Sequence, residues 1–102
     1  MQLKPGTRLR STVCLTEVII VRAPQDDVEI ACGGQAMVVL GTEVPEGGSV
    51  SADFAGGTQL GKRYADETVG IELLCTKAGE GSLALNGEAL LLKEAKPLPS
   101  SD

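Results

Sequence analysis

The feature that most constrains this chain is an internal recurrence. The stretch "GTRLRSTVCLTEVIIVRA" at 6–23 is echoed 55 residues later by "GKRYADETVGIELLCTKA" at 61–78. Gly6 aligns with Gly61, Arg8 with Arg63, Leu9 with Tyr64 and Glu17 with Glu72. After the next turn the offset shortens to 53, and "IACGGQAMVV" at 30–39 aligns with "LALNGEALLL" at 83–92. Strict identities are few. The order of features is kept throughout: a Gly-x-Arg, a polar stretch, an acid plus an apolar run, a basic residue, a turn, a strand, Gly-[Gln/Glu]-Ala and a closing apolar pair. We read a tandem duplication: a first unit at 1–40, a join at 41–60, a second unit at 61–92 and a frayed tail at 93–102. Units below about 40 residues rarely fold alone without a metal, disulfides or association. Two of them packed face to face would share one core, and the covalent join replaces an association cost with a smaller loop-closure cost.

The local signals are those of strands. "VIIV" at 18–21 is a β-branched run. "VEIACGGQAMVVL" splits into two strand signals at Gly33-Gly34, and "SLALNGEALLL" splits at Asn86-Gly87, a strong hairpin pair. The polar residues 24–27 make a turn. The join "GTEVPEGGSVSADFAGG" is rich in Gly, Ser and acid and reads as a linker or long surface loop. No segment carries a helical period. The expected fold class is all-β, as two small β units in a pseudo-twofold tandem repeat.

Composition narrows the function classes. There is no His and no Trp, with one Tyr and one Phe, so the core must come from Val, Ile, Leu and Ala. Imidazole chemistry is excluded. The net charge of -5 and the scattered Lys and Arg argue against nucleic acid or an anionic membrane as partner. No run approaches bilayer length, and "MQLKPGTRLRS" lacks the apolar region of a leader, so the expected location is cytoplasmic. Three cysteines cannot all pair within one chain; in a reducing compartment they are expected as thiols or ligands.

The half-repeat resembles the desulforedoxin-type unit, a rubredoxin-type module also found at the N-terminus of desulfoferrodoxins. The family pattern is C-x-x-C-G, a strand, a Gly-rich turn, a strand and then C-C-G-x-x-M. The resemblance implies a small β fold, a dimer of units, and four thiolates holding one iron or zinc tetrahedrally. Carried over residue by residue, Ser11, Cys14, Cys32 and Gly33 fall on the four ligand positions of the first unit. Gly34 and Met37 fall on the family's Gly and Met. In the second unit the ligand positions hold Asp66, Val69, Leu85 and Asn86, with Gly70 on the family's Gly. The second unit therefore lacks a tetrathiolate site, and the first keeps two thiols of four.

Three readings of Cys14 and Cys32 stay open: buried free thiols, a redox pair that forms a disulfide, or a metal site completed by thiols of a second chain. Cys75 aligns with Ile20 in the apolar strand and is read as core, as are Met37 and Leu90. Gly33, Gly34 and Gly87 are expected to adopt positive φ. Asp26, Asp27 and Glu29 belong to a solvated turn. Arg8 and Arg63 are placed to pair with Glu17 or Glu72. "AGEGSL" contains a Gly-x-Gly without a following helix and is read as a turn. No nucleophile elbow, P-loop or zincin motif is present, so no catalytic residue is expected and the chain is read as not an enzyme. The leading expectation is a non-enzymatic β module for protein binding or accessory support of an enzyme or assembly, with no cofactor. The alternative is a rubredoxin-class protein, for electron transfer or metal binding, that binds iron or zinc through Cys14 and Cys32. Homo-oligomerisation is left open.

Overall fold

The computed structural model describes residues 3–44 and 48–93. The tail beyond Lys93 and residues 45–47 of the join lie outside the described residues. The described chain is all-β, in two antiparallel sheets with no α-helix. Ten strands follow in order: β1 (Arg8–Arg10), β2 (Glu17–Arg22), β3 (Ile30–Cys32), β4 (Gln35–Ala36), β5 (Val38–Val39), β6 (Arg63–Asp66), β7 (Ile71–Lys77), β8 (Leu83–Leu85), β9 (Glu88–Ala89) and β10 (Leu91–Leu92). A single 3₁₀ turn, Ala52–Phe54, interrupts the join. The larger sheet runs β10-β6-β7-β2-β1-β5, and the smaller runs β4-β3-β8-β9.

Both sheets are palindromic about their central pair. In β2–β7, Ile19 faces Leu74; on either side Val18 faces Cys75 and Ile20 faces Leu73, and further out Glu17 faces Lys77 and Arg22 faces Glu72. In β3–β8, Ala31 faces Ala84, flanked by Ile30 with Leu85 and Cys32 with Leu83. The two halves of the chain therefore supply the middle strands of both sheets jointly. Neither half could keep its sheets without the other, because β2 and β3 would each become an exposed edge.

Alternation along the strands decides which side chains go inward. Leu9, Val18, Ile20, Ile30, Cys32 and Met37 from the first half join Tyr64, Leu73, Cys75, Leu83, Leu85 and Leu90 from the second in one buried cluster. The expected core positions Cys75, Met37 and Leu90 are thus buried. The lone Tyr keeps its hydroxyl satisfied by accepting from the Gln59 amide at 3.0 Å. Asp26, Asp27 and Glu29 are exposed.

Two tight hairpin turns set the register at the ends of β3 and β8. Gly33 and Gly34 have φ of +67° and +90°, and Asn86 and Gly87 have +49° and +87°. Positive φ at both central residues is the requirement of a type I′ turn, which only Gly and Asn meet at low cost. The join is not a free spacer. Ser51 N–H donates to Gly33 O, Ser82 N–H to Phe54 O and Thr58 N–H to Gly79 O, so residues 51–58 are tied to both halves.

Ion pairs sit where β2 and β7 end. Glu72 is buried on its strand and pairs with both Arg63, at 3.2 Å, and Lys93. The Lys93 ammonium and then the Arg63 guanidinium hold its carboxyl below the usual range, against the opposing effect of burial. Arg63 thus meets the expected Glu72, while Glu17 pairs instead with Lys77, at 3.7 Å.

Candidate functional site

The connection between β1 and β2 folds back on itself around the Ser11 side chain. Ser11 Oγ accepts from the amides of Val13, at 3.2 Å, and Cys14, at 3.1 Å. In the second half Asp66 Oδ1 does the same with the amides of Thr68, at 2.9 Å, and Val69, at 3.2 Å. Two successive amides turned onto one side-chain atom form a small anion-accepting loop. Here an oxygen occupies its focus in both halves.

This loop delivers Cys14 to the end of β3, where Cys32 points inward. Their sulfurs lie 3.7 Å apart, in van der Waals contact and unbonded. Cys14 Sγ is also 3.3 Å from Ser11 Oγ, 3.3 Å from Thr16 Oγ1 and 3.4 Å from the Gly81 amide, which donates to it. The donors can be followed outward. The Cys14 thiol donates to Ser11 Oγ, and when the thiol ionises the Ser11 O–H can turn to the sulfur instead. Gly79 N–H donates to Thr58 Oγ1 at 2.9 Å, and Thr58 Oγ1 lies 2.9 Å from Thr16 Oγ1. Thr58 Oγ1 in turn donates to Gly79 O at 3.5 Å. The Cys14 thiol donates to the Thr16 hydroxyl, which turns its own O–H to the sulfur once Cys14 is a thiolate. Among the described residues no buried side-chain nitrogen or oxygen is left without a partner.

The two thiols are electrostatically unlike. Burial pushes Cys14 upward, but the Ser11 and Thr16 hydroxyls and the Thr16 and Gly81 backbone together outweigh it and bring the thiol down from 9.0 to about 7. Hydrogen bonds to the charged form are what favour it. Cys32 is fully buried. Its burial, only partly offset by Thr16 and reinforced by a neighbouring charge on Cys14, pushes it up to about 11. One sulfur is thus poised as a thiolate near neutral pH, and the other holds its proton.

The second half closes the site from above. Segment 79–82 crosses onto the first half, with the Gly33 amide donating to Ser82 O at 3.0 Å. A Cβ at Gly79 would stand 3.0 Å from Cys14 Sγ, and one at Gly81 would stand 3.0 Å from Cys32 Sγ. The Gly-x-Gly that reads as a plain turn in the sequence is therefore the lid of the thiol pair, and its glycines are what let the backbone approach two sulfurs. Thr16, Thr58 and this lid were not singled out from sequence. The one available signal was that Gly81 aligns with the buried Val28 of the other half.

A metal can be tested against these positions. Two thiolates on a tetrahedral ion with Zn–S near 2.3 Å stand about 3.8 Å apart, so the sulfur separation suits two corners. The remaining corners do not follow. Ser11 offers a hydroxyl, and a Cβ at Gly33 would run into Val13 at 2.7 Å and Val50 at 3.3 Å before reaching any other side chain. Among the described residues no three His, Cys, Asp or Glu side chains gather around one point. The residues present do not fit a tetrathiolate ion. The corresponding positions of the second half, Val69 and Leu85, belong to or pack on the apolar core.

Beside the thiols a cleft of about 190 Å³ is lined by Arg10, Cys14, Leu15, Glu17, Leu40 and Lys77, among others. It continues along β1 into a second hollow that adds Arg8. Among the described residues no helix is long and apolar enough to cross a membrane. Comparison with protein-family models, with curated proteins and with solved structures finds no match to this chain.

Proposed function

We propose that the chain is a tandem pair of desulforedoxin-like units that has kept the knuckle geometry and given up the metal, and that it works in the cytoplasm as a non-enzymatic β module binding a protein partner. The observation that carries this reading is the treatment of the first ligand position. Ser11 and Asp66 each accept the two amides that a family thiolate would accept, so the knuckle persists with oxygen at its focus. The palindromic registers of β2–β7 and β3–β8 support a paired-unit origin. The partner surface is drawn from the sheet edges. β5 and β10 are the two outer strands of the larger sheet, and Val39, Leu40, Leu91 and Leu92 are exposed along them, Leu91 by 71%. Unpaired edges carrying apolar side chains are suited to association and costly to leave bare.

The rubredoxin-class alternative is favoured by one observation, the 3.7 Å sulfur separation, and would need two further ligands from a second chain. One measurement decides between them. The protein is purified without oxygen, and iron, zinc and free thiols are counted per chain. The proposed reading expects substoichiometric metal and three titratable thiols after denaturation. Near-stoichiometric iron or zinc overturns it. The binding surface is tested with Val39→Lys combined with Leu91→Lys, which should release a partner that copurifies at fixed stoichiometry. Retention of that partner by the folded variant assigns binding to another face.

A further inference from the structure

We propose that Cys14 and Cys32 form a nucleophile and resolving pair that reduces a small anionic disulfide bound in the cleft beside β1, the protein becoming disulfide-bonded in the exchange. The roles follow from geometry. Cys14 lines the cleft and is the less buried of the two, and its sulfur has three hydrogen-bond partners, the Gly81 amide and the Ser11 and Thr16 hydroxyls. Cys32 is fully buried, with its sulfur 3.7 Å from that of Cys14. Cys75, the third thiol, is buried on β7 and donates to Lys77 O, so it has no place in the pair.

The charge of the cleft selects the substrate class. In a chain of net charge -5, the hollow beside Cys14 gathers Arg10 and Lys77 around the single acid Glu17, and Arg8 lines the neighbouring hollow. The matching hollow of the second half is lined by Arg22, Lys93, Asp66, Glu67 and Glu72, three acids against two bases. Cationic excess therefore accompanies the half that carries the thiols and is absent from the half that has lost them. Leu15, 67% exposed, and Leu40 add an apolar wall. A small disulfide bearing carboxylates would meet the Arg10 guanidinium and the Lys77 ammonium in the cleft that Cys14 lines.

The chemistry balances as two exchanges. The Cys14 thiolate attacks one sulfur of RS–SR, the S–S bond breaks, and RS⁻ leaves while Cys14–S–S–R forms. Cys32 then loses its proton to the departing thiolate and attacks Cys14 Sγ, expelling the second RS⁻. The sum converts two protein thiols and RS–SR into one protein disulfide and two RSH, with two electrons passing from the protein to the small disulfide. The Gly79–Gly81 lid leaves no side chain between the sulfurs during the second step.

This inference needs free thiols and so rests on the metal-free reading. Metal content measured on the same sample separates failure of one from failure of the other. The full chain is mixed with oxidised glutathione, and separately with the uncharged bis(2-hydroxyethyl) disulfide, and followed by intact mass and peptide mapping. Wild type should lose the mass of two hydrogens and link Cys14 to Cys32. Cys32→Ser should stop at one glutathione adduct on Cys14. Arg10→Ala with Lys77→Ala should slow the reaction with oxidised glutathione about tenfold and leave that with the uncharged disulfide within about twofold. First modification at Cys32 or Cys75, no Cys14–Cys32 link in folded metal-free wild type, or equal slowing with both disulfides overturns the proposal. Mapping on wild type keeps the test decisive if a variant does not fold.

Discussion

Gly81→Ala isolates the physical idea behind the thiol site, that a glycine lid from one half is pressed onto the knuckle of the other. The added Cβ would stand 2.7 Å from Gly33 N, 2.8 Å from Gly33 Cα and 3.0 Å from Cys32 Sγ. Two of these are backbone atoms in a tight turn and cannot rotate away. The lid must lift, and the Gly33 N–H to Ser82 O hydrogen bond of 3.0 Å lengthens with it. Overpacking of this kind costs about 1–3 kcal/mol. The hydrogen bond adds about 1 kcal/mol. The expected loss is thus about 2–4 kcal/mol, or roughly 10–25 °C in Tm for a domain of this size. Gly81 lies outside the left-handed region, so the loss is steric alone. Gly6→Ala is the matched control, because Gly6 has φ +90° and open space around its Cβ. Its expected cost is conformational, about 1–2 kcal/mol. Urea and thermal unfolding of both variants under reducing conditions gives the comparison. A Gly81→Ala protein within about 0.5 kcal/mol of wild type, or one more stable than Gly6→Ala, refutes the lid.

Three further expectations follow from the same geometry. Alkylation of Cys14 in the native protein should rise with pH to a midpoint near 7, while Cys32 stays protected until it titrates near 11; a shared midpoint near 9.0 would remove the asymmetry of the pair. The linked stability has opposite signs: the Cys14 contribution is present above pH 9.0 and lost as pH falls through about 7, and the Cys32 contribution is present below pH 9.0 and lost as pH rises through about 11. Thr16→Val should cost about 1–2 kcal/mol by leaving the Thr58 hydroxyl short of its buried partner, and should raise the Cys14 alkylation midpoint, with unfolding curves and alkylation rates as the two readouts. Glu72→Gln should flatten the acid limb of the stability curve, because the depressed Glu72 contributes stability above its ordinary value of 4.5 that is lost as pH falls through its lower folded value; acid denaturation of wild type and variant measures the difference.

Strand content was legible because β-branched runs and Asn-Gly or Gly-Gly pairs act locally. Gly33, Gly34 and Gly87 took positive φ for the reason that made them visible, the absence of a Cβ. The proximity of Cys14 and Cys32 was beyond any local rule, since 18 residues separate them, and was expected only from a resemblance. What escaped was everything that depends on one half touching the other. The Gly79–Gly81 lid, the Thr16–Thr58 bond across 42 residues and the ties of 51–58 to Gly33 and Ser82 are made between segments whose own sequences look like turns and linkers. Glu72 looked like a surface acid and is buried, because Arg63 and Lys93 come to it from β6 and from beyond β10.

The difference between the two halves also bears on what the thiols are for. At matching places the thiol site takes Ser11, Cys14 and Cys32 from the first half and Gly81 from the second, and its counterpart takes Asp66, Val69 and Leu85 from the second half and Val28 from the first. Val28 and Leu85 are buried in the common core and Val69 packs against it. Apart from Asp66, which caps its loop as Ser11 does, the second set fills this space with three hydrocarbon side chains. A site kept only for packing could have taken the same solution in the first half. It keeps instead two sulfurs in contact, gives one of them three hydrogen-bond partners, thins the lid to glycine above them and sets Arg10 and Lys77 at the entrance. Holding Cys14, Cys32 and Gly81 where the counterpart has Val69, Leu85 and Val28 forgoes buried hydrocarbon, at about 25 cal/mol for each Å². If that loss serves no chemistry, the apolar set should be the better one. Cys14→Val, Cys32→Leu and Gly81→Val introduced together should then raise stability, whereas a lid shaped around sulfur should be pushed off by the larger side chains, since even a single Cβ at 81 lies 2.7 Å from Gly33 N. Unfolding of the triple variant against wild type separates the two accounts: a more stable triple variant reduces the thiol pair to leftover packing, and a less stable one shows a backbone fitted to the sulfurs.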